Sequence, residues 1–176
     1  MAVTPYKQTL THSCLAACFL MLQGKQFAEI DEQELAQKGS SRNYPLYVVG
    51  IPTEFVKKFD GKIKIYADNN FFATSLKKAF IGNKEISVIH KKINIPLIAD
   101  LLNENPIICH IDDHALGDYS HSSHFIILEK ATEEFVYIID PWSGKRNKIS
   151  KSKLNEAIDD LKNHVKMCPL IFSIET

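Results

Sequence analysis

The chain has 176 residues, 45% of them hydrophobic and 24% charged, the balance of an ordinary globular protein and the length of a single domain, residues 1–176. Basic and acidic side chains both number 21, so the formal net charge is zero, and nothing in it favours nucleic acid or an anionic membrane as a partner. The longest apolar run extends only from Cys14 to Leu22, well short of the roughly 20 residues of a membrane span.

The start of the chain lacks the basic region, apolar run and small-residue site of a signal peptide. A cytoplasmic location is therefore expected, with signal-less secretion as the alternative route. In a reducing compartment the four cysteines read as free thiols.

In chain order, residues 1–13 read as an extended lead-in. CLAACFLMLQ (14–23) reads as a helix apolar nearly all round, hence buried, closed by Gly24. Residues 28–37 form an amphipathic helix and 39–44 a loop. PTEFVKKF (52–59) gives a short helix with Pro52 near its start. The alternation of KIKIYA (62–67) predicts a strand, residues 71–80 a helix, EISVIH (85–90) a strand and residues 95–105 a helix. The short apolar runs 106–111, 124–129 and 135–140 are strands, 146–150 a further one, 153–163 a helix and 168–175 a last strand. Helices first and strands later predict an α+β fold, with an N-terminal helix packed on a C-terminal antiparallel sheet.

HFIILEKATEEFVYIID (124–140) reads as a hairpin. Symmetry about Thr132 opposes Leu128 to Val136, Ile126 to Ile138 and His124 to Asp140, all on one face. Directly opposed Cβ atoms lie about 4.5–5.5 Å apart, so the carboxylate can take an imidazole N–H and fix the ring. A one-residue slip would separate the pair, and a surface ion pair is the plainer reading. A histidine held by an acid still needs only a nucleophile to make a catalytic unit.

Cys14 stands where the buried helix begins, with Ser13 or Thr11 as possible cap, and free N–H groups there favour a thiolate. Cys18 lies about 40° further round the helix among apolar neighbours, where a thiol stays protonated and inert. Three residues separate the two cysteines, one too many for a redox C-x-x-C, and a lone pair at this spacing is a weak zinc signal. Gln8, six residues before Cys14, can donate its amide to an oxyanion beside the thiol or simply be a loop glutamine.

QTLTHSCLAA (8–17) resembles the cysteine box of the double-glycine leader peptidases, papain-like cysteine peptidases first known as N-terminal domains of bacteriocin-exporting transporters. His124-Phe-Ile-Ile-Leu and Asp140-Pro-Trp-Ser-Gly144 are similar to that family's second box, and the likeness extends from about residue 6 to residue 160. The resemblance implies a papain-like fold, a stand-alone cysteine peptidase acting on a peptide or protein without a cofactor, and four roles. Cys14 is the nucleophile, His124 the base, Asp140 the orienting acid and Gln8 the oxyanion donor. Ser13 and Leu15 depart from the acid and glycine common in the family, and no transporter is fused here, so the chemistry carries over and the double-glycine substrate does not. The same residues serve deamidation, isopeptide cleavage or acyl transfer, and an inactive binding domain is a further alternative.

A metal-binding reading comes from His110, His114, His121 and His124 with Asp112, Asp113 and Asp118 between them. His12 is a rival base without an evident acid. His90 and His164 belong to no constellation. Trp142 reads as a packing residue shielding the His–Asp pair, and Cys109 and Cys168 read as core.

Overall fold

The structure is a computed structural model and describes residues 3–117 and 120–175. In chain order it runs α1 (Cys14–Leu22), α2 (Glu29–Gly39), α3 (Tyr47–Lys58), β1 (Lys62–Ala67), α4 (Asn70–Ala79), β2 (Ile86–His90), α5 (Ile95–Leu102) and β3 (Ile107–Asp112). A 3₁₀ turn (Asp113–Leu116) follows, then β4 (Ser123–Ala131), β5 (Phe135–Asp140), β6 (Lys145–Ser150), α6 (Lys151–Asn163) and β7 (Leu170–Glu175). The class is α+β. Asp118 lies outside the described residues.

The seven strands form one sheet in the order β2-β1-β7-β3-β4-β5-β6. The expected purely antiparallel C-terminal sheet is corrected here. The chain's last strand, β7, pairs with both β3 and β1, which brings the early strands β1 and β2 into the same sheet. β1 and β2 are parallel, linked through α4, as a crossover connection requires.

Two apolar clusters cover the sheet. One joins α1, α2, α3 and α4 residues to Phe125, Ile127 and Phe172, and the other joins α5 and α6 residues to Ile126, Leu128 and Ile171. Both faces of β3 and β4 are therefore buried, which explains their unbroken apolar runs. Helix α1 is buried on nearly every side, as its sequence predicts.

Helix α3 begins five residues before the expected start, leaving Pro52 inside it. Burial of Val48, Val49, Ile51 and Phe55 outweighs the low helix propensity of its β-branched residues and the hydrogen bond lost at proline. Helices α2 and α3 touch backbone to backbone. A Cβ on Gly50 would lie 1.9 Å from the carbonyl oxygen of Gly39.

The β4–β5 register also differs from the symmetric hairpin. Leu128 opposes Ile138 rather than Val136, and Ala131 opposes Val136, with a bulge at Glu129 between the two stretches. The turn is centred beyond Thr132, where Thr132 N–H bonds the Phe135 carbonyl at 2.8 Å. That displacement alone would be odd and would put His124 and Asp140 on opposite faces. The bulge removes one residue, so the net slip is two, and the face is kept. His124 and Asp140 are a diagonal pair rather than a directly opposed one.

Gly50→Ala is expected to cost about 3 kcal/mol or more, because backbone rather than a movable side chain stands in the way. Chemical denaturation checks it, and an unchanged midpoint would refute the close helix contact.

Candidate active site

Cys14 is the first residue of α1 and borders a cavity of about 510 Å³ together with His124, Asp140, Tyr47, Ser123 and Trp142. Helices α4, α5 and α6 each have an Asn or Ser side chain accepting from their first turn. Helix α1 has none, because the Ser13 hydroxyl turns instead to Glu32. Neither Ser13 nor Thr11 caps the helix, and its first N–H groups stay available beside the Cys14 sulfur. Cys18, one turn on, is wholly buried and bonds the Phe125 carbonyl at 3.5 Å; burial first, then the nearby Cys14 and Asp140 charges, push its thiol up.

His124 is buried, and its Nε2 lies 2.8 Å from Asp140 Oδ1. A carboxylate accepts, so Nε2 carries the proton, and Nδ1 is the nitrogen left for Cys14. Burial pulls the imidazole down, but the hydrogen bond to Asp140 and the contact with Cys14 outweigh it and hold His124 up at about 9. Asp140 also accepts from the Trp142 N–H at 2.9 Å and the Ser143 N–H at 3.1 Å. Burial pushes its carboxyl up; these bonds, His124 foremost, bring it below the ordinary carboxylate value. Trp142 is 47% exposed and lines the cavity, so it is a wall of the site rather than a packed core residue.

The lead-in to α1 is held from two sides. Glu32 of α2 is wholly buried and accepts from the Tyr6 hydroxyl at 2.6 Å, the Thr9 N–H at 3.0 Å, the Thr9 hydroxyl at 3.0 Å and the Ser13 hydroxyl. On the other side, the Gln8 N–H donates to the Pro141 carbonyl at 2.7 Å. Gly144 at the end of the same turn, with φ of 67°, would place a Cβ 2.7 Å from that of Lys7. The two sequence boxes therefore touch through their backbones.

Gln8 is buried, and its side chain does not border the cavity. Its amide nitrogen donates to the carbonyls of Leu10 at 2.7 Å and Thr11 at 3.3 Å, and its buried Oε1 has no partner among the described residues. His12 lines the cavity from the exposed lead-in, with no carboxylate bonded to its ring among the described residues.

His110 stands apart from the site chemistry. Its Nδ1 bonds the Cys168 carbonyl at 3.2 Å, so its Nε2 accepts from the Ser123 hydroxyl at 2.7 Å. Burial pushes it down to about 4 and keeps it neutral. Burial also pushes the Cys109 thiol up to about 12, whereas Cys168 is only half-buried and lines a second cavity.

The sequence reading missed Glu32, Tyr47 and Ser123. Glu32 carried a signal: it shares a helical stripe with buried Leu35, Ala36 and Gly39, so an acid stood on the inward face. No protein-family model matches the chain, and no curated protein is significantly similar to it, so function rests on this geometry.

Glu32→Ala removes the acceptor of four donor groups and is expected to cost about 3 kcal/mol, a drop in Tm of about 6–12 °C. Differential scanning calorimetry checks it; an unchanged Tm would show that the carboxylate does not hold the lead-in. Stability should also peak near pH 6.5. Folding favours protonated His124, a contribution complete below 6.5 and lost as pH rises through about 9. Folding favours neutral His110, a contribution lost as pH falls from 6.5 to about 4. Asp140→Asn should flatten the alkaline decline in Tm, and a Tm that rises steadily from pH 6.5 to 9 would contradict the assignment.

Proposed function

We propose that the protein is a papain-like cysteine peptidase, with Cys14 as nucleophile, His124 as general base and acid, and Asp140 as the group that orients the ring. The observation that carries the reading is the tautomer: Asp140 takes Nε2–H and leaves Nδ1 to a cysteine at an uncapped helix start.

His124 takes the Cys14 proton, and the thiolate attacks the substrate carbonyl. The Sγ–C bond forms, and the carbonyl electrons move to oxygen. The Cys14 N–H is the oxyanion donor that needs no rearrangement. Imidazolium then protonates the leaving amine as the C–N bond breaks, giving a thioester. Water, deprotonated by His124, attacks that thioester and releases the acid and the thiol. In this reading Gln8 is the second oxyanion donor, a role that requires its amide to turn from the Leu10 and Thr11 carbonyls that it serves in the structure. Trp142 steadies Asp140 through its backbone N–H and lines the cavity.

Substoichiometric iodoacetamide at pH 6, followed by peptide mapping, should label Cys14 ahead of Cys18, Cys109 and Cys168. A peptide library incubated with the wild type should show new termini that are absent with Cys14→Ala at unchanged Tm, and Gln8→Ala should lower kcat on the order of 10²–10³. Preferential labelling elsewhere would sink the nucleophile. Labelling of Cys14 without any new termini would point to deamidation or acyl transfer instead.

A further inference from the structure

Outside the catalytic group, a second cluster of titratable side chains gathers where the β3–β4 connection meets α6. Asp112 ends β3, His121 lies in the connection, and Asp160 comes from the last turns of α6. One nitrogen of His121 and one oxygen of each aspartate lie within 4.8 Å of one another. His164, at the end of α6, places Nε2 3.5 Å from Asp160 Oδ1 and stacks its ring on His121, with centroids 4.2 Å apart. His164, unassigned in the sequence reading, thus joins a constellation, whereas His110 and His124 of the expected metal loop have other partners.

We propose that Asp112, His121 and Asp160, completed by His164, bind a divalent transition-metal ion of the zinc class.

Three features carry the assignment. The donor set is imidazole and carboxylate without thiolate, which suits zinc and its neighbours better than calcium or magnesium. Asp112 is wholly buried and rigidly held: Oδ1 accepts from the His114 and Ser122 N–H groups, both at 3.1 Å, and Oδ2 bonds His121 Nδ1 at 2.6 Å. A carboxylate paired with an imidazole is also the arrangement that orients a metal-binding histidine. The stacking of the His164 ring on that of His121 brings a second imidazole to the same group of donors.

Bonds of about 2.0–2.2 Å around a tetrahedral ion place neighbouring ligand atoms about 3.4 Å apart. Asp112 is fixed, so the approach falls to Asp160 and His164, whose side chains are 19% and 53% exposed. The ion would then tie α6 to the connection that leads into β4, the strand that carries His124. The proposal stands independently of the peptidase reading.

The test uses the full chain stripped by a chelator and titrated with zinc sulfate against a chromophoric competitor. Wild type and Cys14→Ser should each bind one equivalent in the micromolar range or tighter, with a rise in Tm on loading. Asp160→Asn and His164→Gln should each weaken binding by about 10-fold or more. Each variant is checked for folding by circular dichroism, and either alone suffices if the other misfolds. Cobalt should give visible bands without a thiolate charge-transfer band. Binding lost in Cys14→Ser but retained in Asp160→Asn would place the ion on the Cys14–His124 pair and overturn the proposal. Binding no tighter than millimolar would overturn it as well.

Discussion

The site depends on one buried carboxylate that is not part of its chemistry. Glu32 has no cation partner among its hydrogen bonds; it is held by hydroxyl and N–H donors from Tyr6, Thr9 and Ser13. Removing a carboxylate from water is costly, and several donors are needed to offset it. The donors come from a lead-in with no regular structure of its own, so the same bonds that make the acid tolerable give that segment its shape. By taking the Ser13 hydroxyl, Glu32 also leaves the start of α1 uncapped. An interaction at α2 thus shapes the electrostatics of a thiol on α1.

The opposite side of the lead-in rests on the Asp140–Gly144 turn, and here register decides the outcome. The hairpin turn and the Glu129 bulge each shift β4 against β5, and only their combination keeps His124 and Asp140 on one face. Glu129 is pinned by Arg146 of β6, whose Nε and second guanidinium nitrogen lie 2.5 and 2.9 Å from its two oxygens. The same guanidinium reaches the Val3 carbonyl at 2.7 Å. The extra residue is therefore anchored across β5 by a side chain of β6, which is itself tied to the N-terminal segment.

These contacts explain what could be read in the sequence. Strand and helix positions were legible because period and apolar runs are local. The order of strands was not, because β7 joins β3 and β1 over long stretches of intervening chain. The His124–Asp140 pair was legible because both residues belong to one hairpin and parity survives an even slip. Helix α3 was misplaced because tertiary burial of Val48, Val49 and Ile51 outweighs propensity, which is a local quantity. The partners of Glu32 were not legible because they lie 19 to 26 residues away along the chain. Gln8 was found by its spacing to Cys14, but spacing cannot say where an amide points, and its donors face Leu10 and Thr11.

The histidines show the same limit from the other side. In sequence, His110, His121 and His124 are equivalent members of one polar stretch. In the fold, alternation along β3 and β4 separates them: His110 opposes Phe125, whereas His124 opposes Ile111 on the other face. Residues 121–124 then each acquire a different polar partner. His121 has Asp112, Ser122 has Asp113, Ser123 has His110 and His124 has Asp140. Four successive side chains are thereby each bonded to a distinct group, three of them from residues 110–113 and one from the end of β5. The orientation of His124 consequently depends on more than its own acid. The Asp112–His121 pair and the His124–Asp140 pair thus lie at the two ends of one short segment, residues 121–124, in which every side chain has a hydrogen-bond partner.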